Sequence, residues 1–305
     1  MSILQFALFP LVSLLLASPP ACAQVTTGLD FLNIGVGARA SGMGGAFVAV
    51  ADDASAAYWN PAGLSRVTPQ VLFVHNAYIV DMRQEYISAA TRIGKWSIAG
   101  SFNILDVGSL EKRDDTGALL GEFRPFDLAL GFSAAYEVRD GLSLGGTAKG
   151  VMSDIDVETA TGVLFDVGAI WEMPSYGPVS GLSVGMAVRN IGQSVAFIEE
   201  PVDPPMGVRG GLAYRLGLPA ANSNVVVSYD VERMQGGEVE SFFGGEWYYG
   251  EYISGRLGLQ AADTQDIATG FGAHYRNFVV DYAFVPFEFD LGSAHRIAVT
   301  YLFRR

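Results

Sequence analysis

Cysteine is almost missing from this chain: a single one, Cys22, stands near the start of 305 residues. If the N-terminus is cleaved after it, thiolate metal sites, thiol catalysis and disulfides are excluded together. Basic residues are scarce as well, 19 Lys and Arg against 32 Asp and Glu, for a formal net charge of −13. Phosphate binding relies on clustered Lys and Arg that release counterions, so no nucleic-acid partner is expected. Charge of either sign is thin, at 17% of residues, while 50% are hydrophobic, which excludes a disordered chain. Long apolar runs are also lacking. The mean hydropathy of +0.28 would suit a helical membrane protein, yet beyond the N-terminus no uncharged stretch of about 18 apolar residues occurs. A chain that is apolar on average but never in runs alternates apolar with polar residues, as membrane β-barrels do.

The N-terminus agrees with export. Ile3 to Ala17 has the length of a signal-peptide core, and Pro19-Pro20 breaks it. Ala21-Cys22-Ala23 places small residues where a signal peptidase reads, so residues 1–23 are read as a signal peptide and Gln24 as the mature start. Lipidation of Cys22 is the alternative, although Pro19-Pro20-Ala21 departs from the aliphatic and small residues that precede a lipidated cysteine. The expected location is the cell outer membrane, reached through the inner membrane by way of this cleaved peptide.

From about Val71 onward the sequence breaks into period-2 segments. In the clearest, Phe126, Leu128, Leu130, Phe132, Ala134, Tyr136 and Val138 share one face, and Asp127, Ala129, Gly131, Ser133, Ala135 and Glu137 the other. Successive strand side chains point to opposite faces, so this is a strand with one apolar side. Comparable segments begin near Val71, Gln84, Trp96, Leu142, Val163, Leu182, Val208, Val225, Phe242, Ile253, Thr269, Phe278 and His295, making 14 in all. An even count lets both termini lie on the periplasmic side, with tight turns such as Arg139-Asp140-Gly141 alternating with longer outer loops. Asp106 to Pro125 and Asp154 to Thr161 are expected to be long loops. A soluble β-sandwich also alternates, but its polar faces should be dominated by Lys, Glu and Asp. Here those faces are rich in Gly, Ala and Ser. Trp96, Trp171, Trp247 with Tyr249, Tyr301 and Phe303 sit at segment ends, as interfacial girdles do. The expected fold is an all-β transmembrane barrel of 14 antiparallel strands over residues 71–305.

Residues 24–70 lack strand patterning and are expected to form a compact plug inside the barrel. Asp53 is placed to cap a short helix running to Trp59, and Pro61 forces Asn60 out of helical geometry. The glycines between Gly35 and Gly45 do not read as a phosphate loop, because no Gly-Lys-Ser/Thr and no strand–turn–helix unit with a downstream acid follows.

The run Phe31-Leu32-Asn33-Ile34-Gly35-Val36-Gly37-Ala38-Arg39-Ala40, then Gly42-Met43-Gly44-Gly45-Ala46, then Asp52 through Leu64, resembles the PorV/PorQ family. Asp281-Tyr282-Ala283-Phe284, Pro286, Asp290-Leu291-Gly292 and His295-Arg296 resemble it too. That family is related to FadL-type fatty-acid channels. The resemblance implies a 14-stranded barrel with an N-terminal plug whose hatch carries Asn60, Pro61 and Ala62. It also implies a role: a binding and shuttling component of type IX secretion, receiving secreted proteins with a C-terminal signal domain. The alternative is a FadL-like transporter of hydrophobic small molecules. Expected partners are therefore outer-membrane lipid, the outer-membrane assembly machinery, and either such a secreted protein or a hydrophobic small-molecule ligand. At 305 residues the chain is lean for gripping a protein domain.

Catalysis is not expected, and neither a metal nor any other cofactor. His75, His274 and His295 are far apart, with no His-Glu-x-x-His and no Gly-x-Ser-x-Gly. The candidate functional residues are charges on the polar strand faces: Asp127, Lys149, Asp166, Arg209, Arg215, Asp230, Arg256, Arg276 and Asp281, with Glu137, Glu172, Arg189, Glu246 and Arg296 on the same faces. Both signs occur, so a one-sign selectivity ring is not indicated. These charges are expected to pair across the lumen and to anchor the plug through Arg39, Asp52 and Asp53. Leu105, Val107, Leu110, Leu119, Leu120, Phe123, Phe197, Ile198, Phe287, Phe289 and Leu291 fall in predicted loops and are candidates for lining an apolar pocket; the alternatives are packing of the long loops against the rim and, in the shuttle role, a protein-docking surface.

Overall fold

Period-2 alternation settles into strands over most of the chain. The computed structural model describes residues 29–174, 181–197, 200–261, 265–287 and 292–303. The expected signal peptide, with Cys22 and Gln24, lies outside the described residues, as do Ile198, Phe289, Leu291 and the side chain of Phe197. The strands are β1 (Gln70–Ala77), β2 (Arg83–Ile93), β3 (Trp96–Asp106), β4 (Leu110–Arg113), β5 (Leu119–Phe123), β6 (Phe126–Arg139), β7 (Leu142–Ile155), β8 (Glu158–Glu172) and β9 (Leu182–Gly192). They continue with β10 (Val195–Phe197), β11 (Glu200–Val202), β12 (Gly207–Leu218), β13 (Ser223–Met234), β14 (Val239–Tyr249), β15 (Ile253–Ala261), β16 (Gln265–Tyr275), β17 (Phe278–Pro286) and β18 (Ser293–Leu302). Fourteen of these close one antiparallel barrel, and β1 pairs with β18 on one side and β2 on the other. Closure satisfies every strand edge, which is what permits a sheet to cross a bilayer. No helix among the described residues is long and apolar enough to cross a membrane.

The alternation assigns the faces. On β6, Leu130 and Phe132 are 54% and 60% exposed, whereas Ser133 and Ala135, at positions of the opposite parity, are 0% and 1%. Val163, Phe165, Leu257, Phe271 and Ile297 likewise stand outward, and Ser88, Thr147, Ser183 and Ser228 inward. An apolar exterior around a polar, small-residue interior is the arrangement of a membrane barrel, inverted with respect to a soluble protein.

The two rims differ. At the rim where β1 begins and β18 ends, turns are tight: Gly94-Lys95, Asp140-Gly141 and Arg276-Asn277 each join paired strands. The opposite rim carries the two longest connections, which fold into hairpins of their own, β4 with β5 and β10 with β11. The expected loop from Asp106 to Pro125 is thus partly strand. The expected loop from Asp154 to Thr161 is strand almost throughout: Ile155 pairs with Glu158, and only Asp156 and Val157 turn the chain. A tilted strand needs about 9–11 residues to cross the hydrocarbon layer. β7 and β8 have 14 and 15, so their acids extend the ladder into water rather than ending it.

Residues 29–69 form no strand and lie within the barrel. They comprise a 3-10 turn at Asp30–Asn33, α1 (Ala38–Gly42), α2 (Ala56–Trp59) and a 3-10 helix at Pro61–Arg66. Ala38, Ala40, Ala46, Ala49, Ala54, Ala56 and Ala62 are fully buried, so small side chains let this segment fit around the equally buried Phe47. α1 packs against β15 to β18, and the Pro61–Arg66 helix against β6, β7 and β8.

Phe132, near the middle of β6, faces outward. Its replacement by Arg is expected to cost about 2–4 kcal/mol of stability in a lipid vesicle, the usual penalty for a cation on the lipid face of a barrel. Ser133→Ala next to it, which loses one hydrogen bond to Thr147 at 2.7 Å, should cost about 1 kcal/mol. Reversible denaturant unfolding of the barrel refolded into vesicles compares the two, and equal losses would contradict the face assignment.

Candidate functional site

A backbone without regular secondary structure carries donors and acceptors that must be met where water is excluded. In the lumen, wall side chains meet them. Asp230 on β13 accepts the backbone N–H of Phe47 and of Val48, each at 2.8 Å. Arg209 on β12 donates to the Gly45 carbonyl at 2.7 Å, and Ser183 on β9 to that of Ala49 at 3.0 Å. Arg296 on β18 donates to the Gly35 carbonyl at 2.8 Å and also to the Ser41 hydroxyl.

Asn60 does the same work from within the segment. Pro61 leaves Asn60 extended at φ −162°, which ends α2. Its side-chain amide then donates to the carbonyls of Val48 and, across to β8, Ala169, while its carbonyl oxygen accepts from Ala62 N–H. Arg66 closes the turn by donating to the carbonyls of Ala49, Val50 and Ala51 and to Glu172 at 2.8 Å. Asp53 accepts from the backbone N–H of Ser55 at 2.8 Å and from its hydroxyl. Its carboxylate therefore serves the residue before α2, where an N-terminal cap was expected.

Wall glycines set how closely the segment approaches. Gly44 has φ +64°, and a Cβ there would stand 2.7 Å from the Leu259 nitrogen; Gly258 opposite has no room for one against the Gly44 backbone. Close backbone contact of this kind is open only to glycine.

The charges join in an alternating chain. Arg39 on α1 donates to Glu246 on β14 at 2.9 and 2.8 Å, and to Asp52 at 2.5 Å. Arg215 on β12 reaches the other Asp52 oxygen at 2.8 Å. Glu246 also accepts from Arg256 on β15 at 2.6 Å, and Arg256 donates to Asp281 on β17 at 2.7 Å. Burial opposes ionisation of Asp52, but Arg39, Arg215 and Arg66 outweigh it and hold the carboxyl well below the usual range. At Asp53 burial prevails over Arg39 and the carboxyl lies above that range. A second group lies toward the long-loop rim: Glu232 bridges Arg189 at 2.5 Å and Arg209. Lys149 meets Asp166 at 2.8 Å and Asn190 at 2.5 Å.

Not every expected lumen residue is there. Arg276 is exposed in the tight turn after β16, stacked 5.3 Å from the Tyr275 ring. One-residue parity placed it inward, but turn residues follow no strand parity, and its φ of +55° shows the turn. Glu137 and Glu172 are exposed at the same rim, and Asp127 is half-buried near the other. Of the candidate apolar pocket residues, Leu105 is buried with Leu29, Phe31 and Leu32, whereas Leu110, Leu119 and Leu120 stand exposed on the β4–β5 hairpin. Glu232 escaped the sequence reading although it shares the face of Asp230, two residues earlier. Asn190, at φ +60° between Arg189 and Ile191, gives no local signal.

Above α1, toward the long-loop rim, the lumen opens into a cavity of about 360 Å³. Tyr58, Trp59 and Phe242 line it together with Arg189, Arg209, Arg296 and Glu232. Arg209 stacks 4.1 Å from the Phe242 ring and 5.1 Å from that of Trp59.

A family model described as "Uncharacterised protein family (UPF0164)" matches residues 23–202. The chain belongs to this family. No curated protein matches it. Among solved structures it is similar to the CymD monoaromatic hydrocarbon channel, at 14% identity and a TM-score of 0.61, over 92% of this chain and 99% of that one. The toluene transporter TodX of Pseudomonas putida gives 12% identity and 0.62 over 91% and 98%. A FadL homologue of Pseudomonas aeruginosa gives 11% and 0.59 over 88% and 98%. At these identities the likeness speaks for the fold alone, a 14-stranded outer-membrane barrel of FadL type.

Glu246 offers a direct test of what holds the inner segment. Glu246→Gln leaves Arg39 and Arg256 buried and undercharged, and breaking such a buried pair costs about 3–5 kcal/mol. Denaturant titration in micelles should show that loss, together with new proteolytic cleavage between residues 38 and 53. A variant as stable and as protected as the parent would mean that packing alone retains the segment.

Proposed function

We propose that this barrel is a non-enzymatic, gated passage for small hydrophobic molecules across the outer membrane, with residues 29–69 as the plug. The observation that carries this reading is the filled lumen: a closed barrel whose interior is occupied by its own segment, with a cavity on the long-loop side. A pore for water and ions would leave the lumen open. Contacts to the wall are largely hydrogen bonds and ion pairs, which water replaces more readily than apolar packing. The neighbouring folds include a hydrocarbon channel and a toluene transporter, which supports the transport reading over the export role.

A wall exit is also compatible with the geometry. An apolar depression of about 490 Å³ on the outer face is bordered by Ile87, Leu130 and Phe132 and reaches Ser101 and Gly131, whose strand positions face the lumen. The export role rests on the resemblance to PorV/PorQ, and the exposed Leu110, Leu119 and Leu120 are the surface it would use.

Reconstituted in liposomes, the protein should accelerate entry of toluene over protein-free vesicles, and Arg39→Ala should increase that rate severalfold by loosening the plug. Toluene entry no faster than in empty vesicles, for parent and variant alike, would refute the passage.

A further inference from the structure

Arg296 differs from the other lumen cations. It is 7% exposed and lines the cavity. Arg189 and Arg209 share Glu232, and Arg256 meets Glu246 and Asp281. Arg296 has no carboxylate within ion-pair distance among the described residues. Its Nη1 donates to the Gly35 carbonyl and the Ser41 hydroxyl, and its Nε is buried without a partner among the described residues. A buried guanidinium held only by neutral oxygens is undercompensated, and an incoming anion would supply what is missing.

The rest of the cavity limits what such an anion looks like. Tyr58, Trp59 and Phe242 line it with Arg189 and Arg209 stacked on their rings, Glu232, Glu240 and Gln260 share the lining, and Tyr78 and Phe287 add a pair of rings 5.4 Å apart. A volume of about 360 Å³ is near the low end for small-molecule sites. Aromatic side chains beside a cation that no carboxylate compensates, with Arg189 and Arg209 already paired to Glu232, suit a compact molecule with a ring at one end and an acid at the other. A neutral hydrocarbon would leave Arg296 as it is and gain nothing from it, so the arrangement discriminates by charge.

We infer that the cavity binds a compact aromatic carboxylate, with Arg296 anchoring the acid group and the Trp59 and Phe242 side holding the ring. This deepens the passage reading and rests on it for its physiological meaning.

Benzoate and its neutral isostere benzamide separate charge from shape. Titrated against the purified full chain in detergent by isothermal calorimetry, benzoate should bind roughly 10- to 100-fold more tightly than benzamide, the range for a charge-assisted hydrogen-bond pair. Arg296→Gln should abolish that preference, so that benzoate and benzamide bind alike, while Arg296→Lys should retain part of it. Equal binding of the two probes by the parent, no binding of either, or a preference that survives Arg296→Gln overturns the inference. Should Arg296→Gln not yield a folded barrel, the parent ratio and the Lys variant decide. Toluene entry into liposomes without a benzoate preference would overturn this inference and leave the passage standing. A benzoate preference without entry of any probe would do the reverse.

Discussion

The rest of the structure depends on one requirement: a chain segment that enters a barrel must find partners for its own backbone there. Residues 29–69 form only two short α-helices and two 3-10 turns, so many of their peptide groups have no partner within the segment. The wall supplies them one at a time. Asp230 takes two N–H groups, and Arg209, Ser183, Thr147 and Arg296 each give to a carbonyl. A lumen of this kind is polar for the sake of its occupant. That explains why both signs of charge are needed and why neither forms a ring.

The same requirement fixes the small residues. Hydrogen bonds to backbone demand close approach, and close approach is blocked by side chains on either surface. Gly145 meets Pro61 and Ala62, Gly185 meets Val48 and Ala49, and Gly258 meets Gly44. Each contact joins a bare stretch of wall to a bare stretch of the inner segment. The Gly and Ala content of the inward faces and the alanines of residues 38–62 are therefore two halves of one fit.

Much of the fold was legible because strand parity is a local signal. Phe126 to Val138 declares both its conformation and its two faces, and 14 such segments match the 14 strands of the closed barrel. The signal fails at its ends. Arg276 kept the parity of β16 on paper although the chain had already turned, and the acids of Asp154 to Thr161 resembled a loop because strands that leave the lipid no longer need apolar faces. Pairings were not legible at all. Arg39 and Glu246 are 207 residues apart, and which lumen positions share a level depends on barrel stagger and on where the inner segment folds. The Arg209–Glu232–Arg189 group and the cavity beside it follow from that stagger, so sequence parity could nominate Arg209 without its neighbours.

The wall does not hold the segment uniformly. Between residues 38 and 53 the grip is a relay of ion pairs through β12, β14, β15 and β17, ending in Arg215 and Asp281. Around Pro61–Arg66 it is close packing against β6, β7 and β8, with Pro61, Ala62 and Leu64 fully buried. The two kinds of contact respond differently to an incoming solute. Burial of apolar surface is lost outright when the surfaces part, whereas a buried ion pair recovers most of its cost of separation once water or a charged ligand reaches it. A ligand can shift a conformational equilibrium only through its different affinity for the two states. In this lumen ion pairs tie residues 38–53 to β12 and β14, whereas on the β6–β8 side Arg66–Glu172 joins a contact that is otherwise close packing.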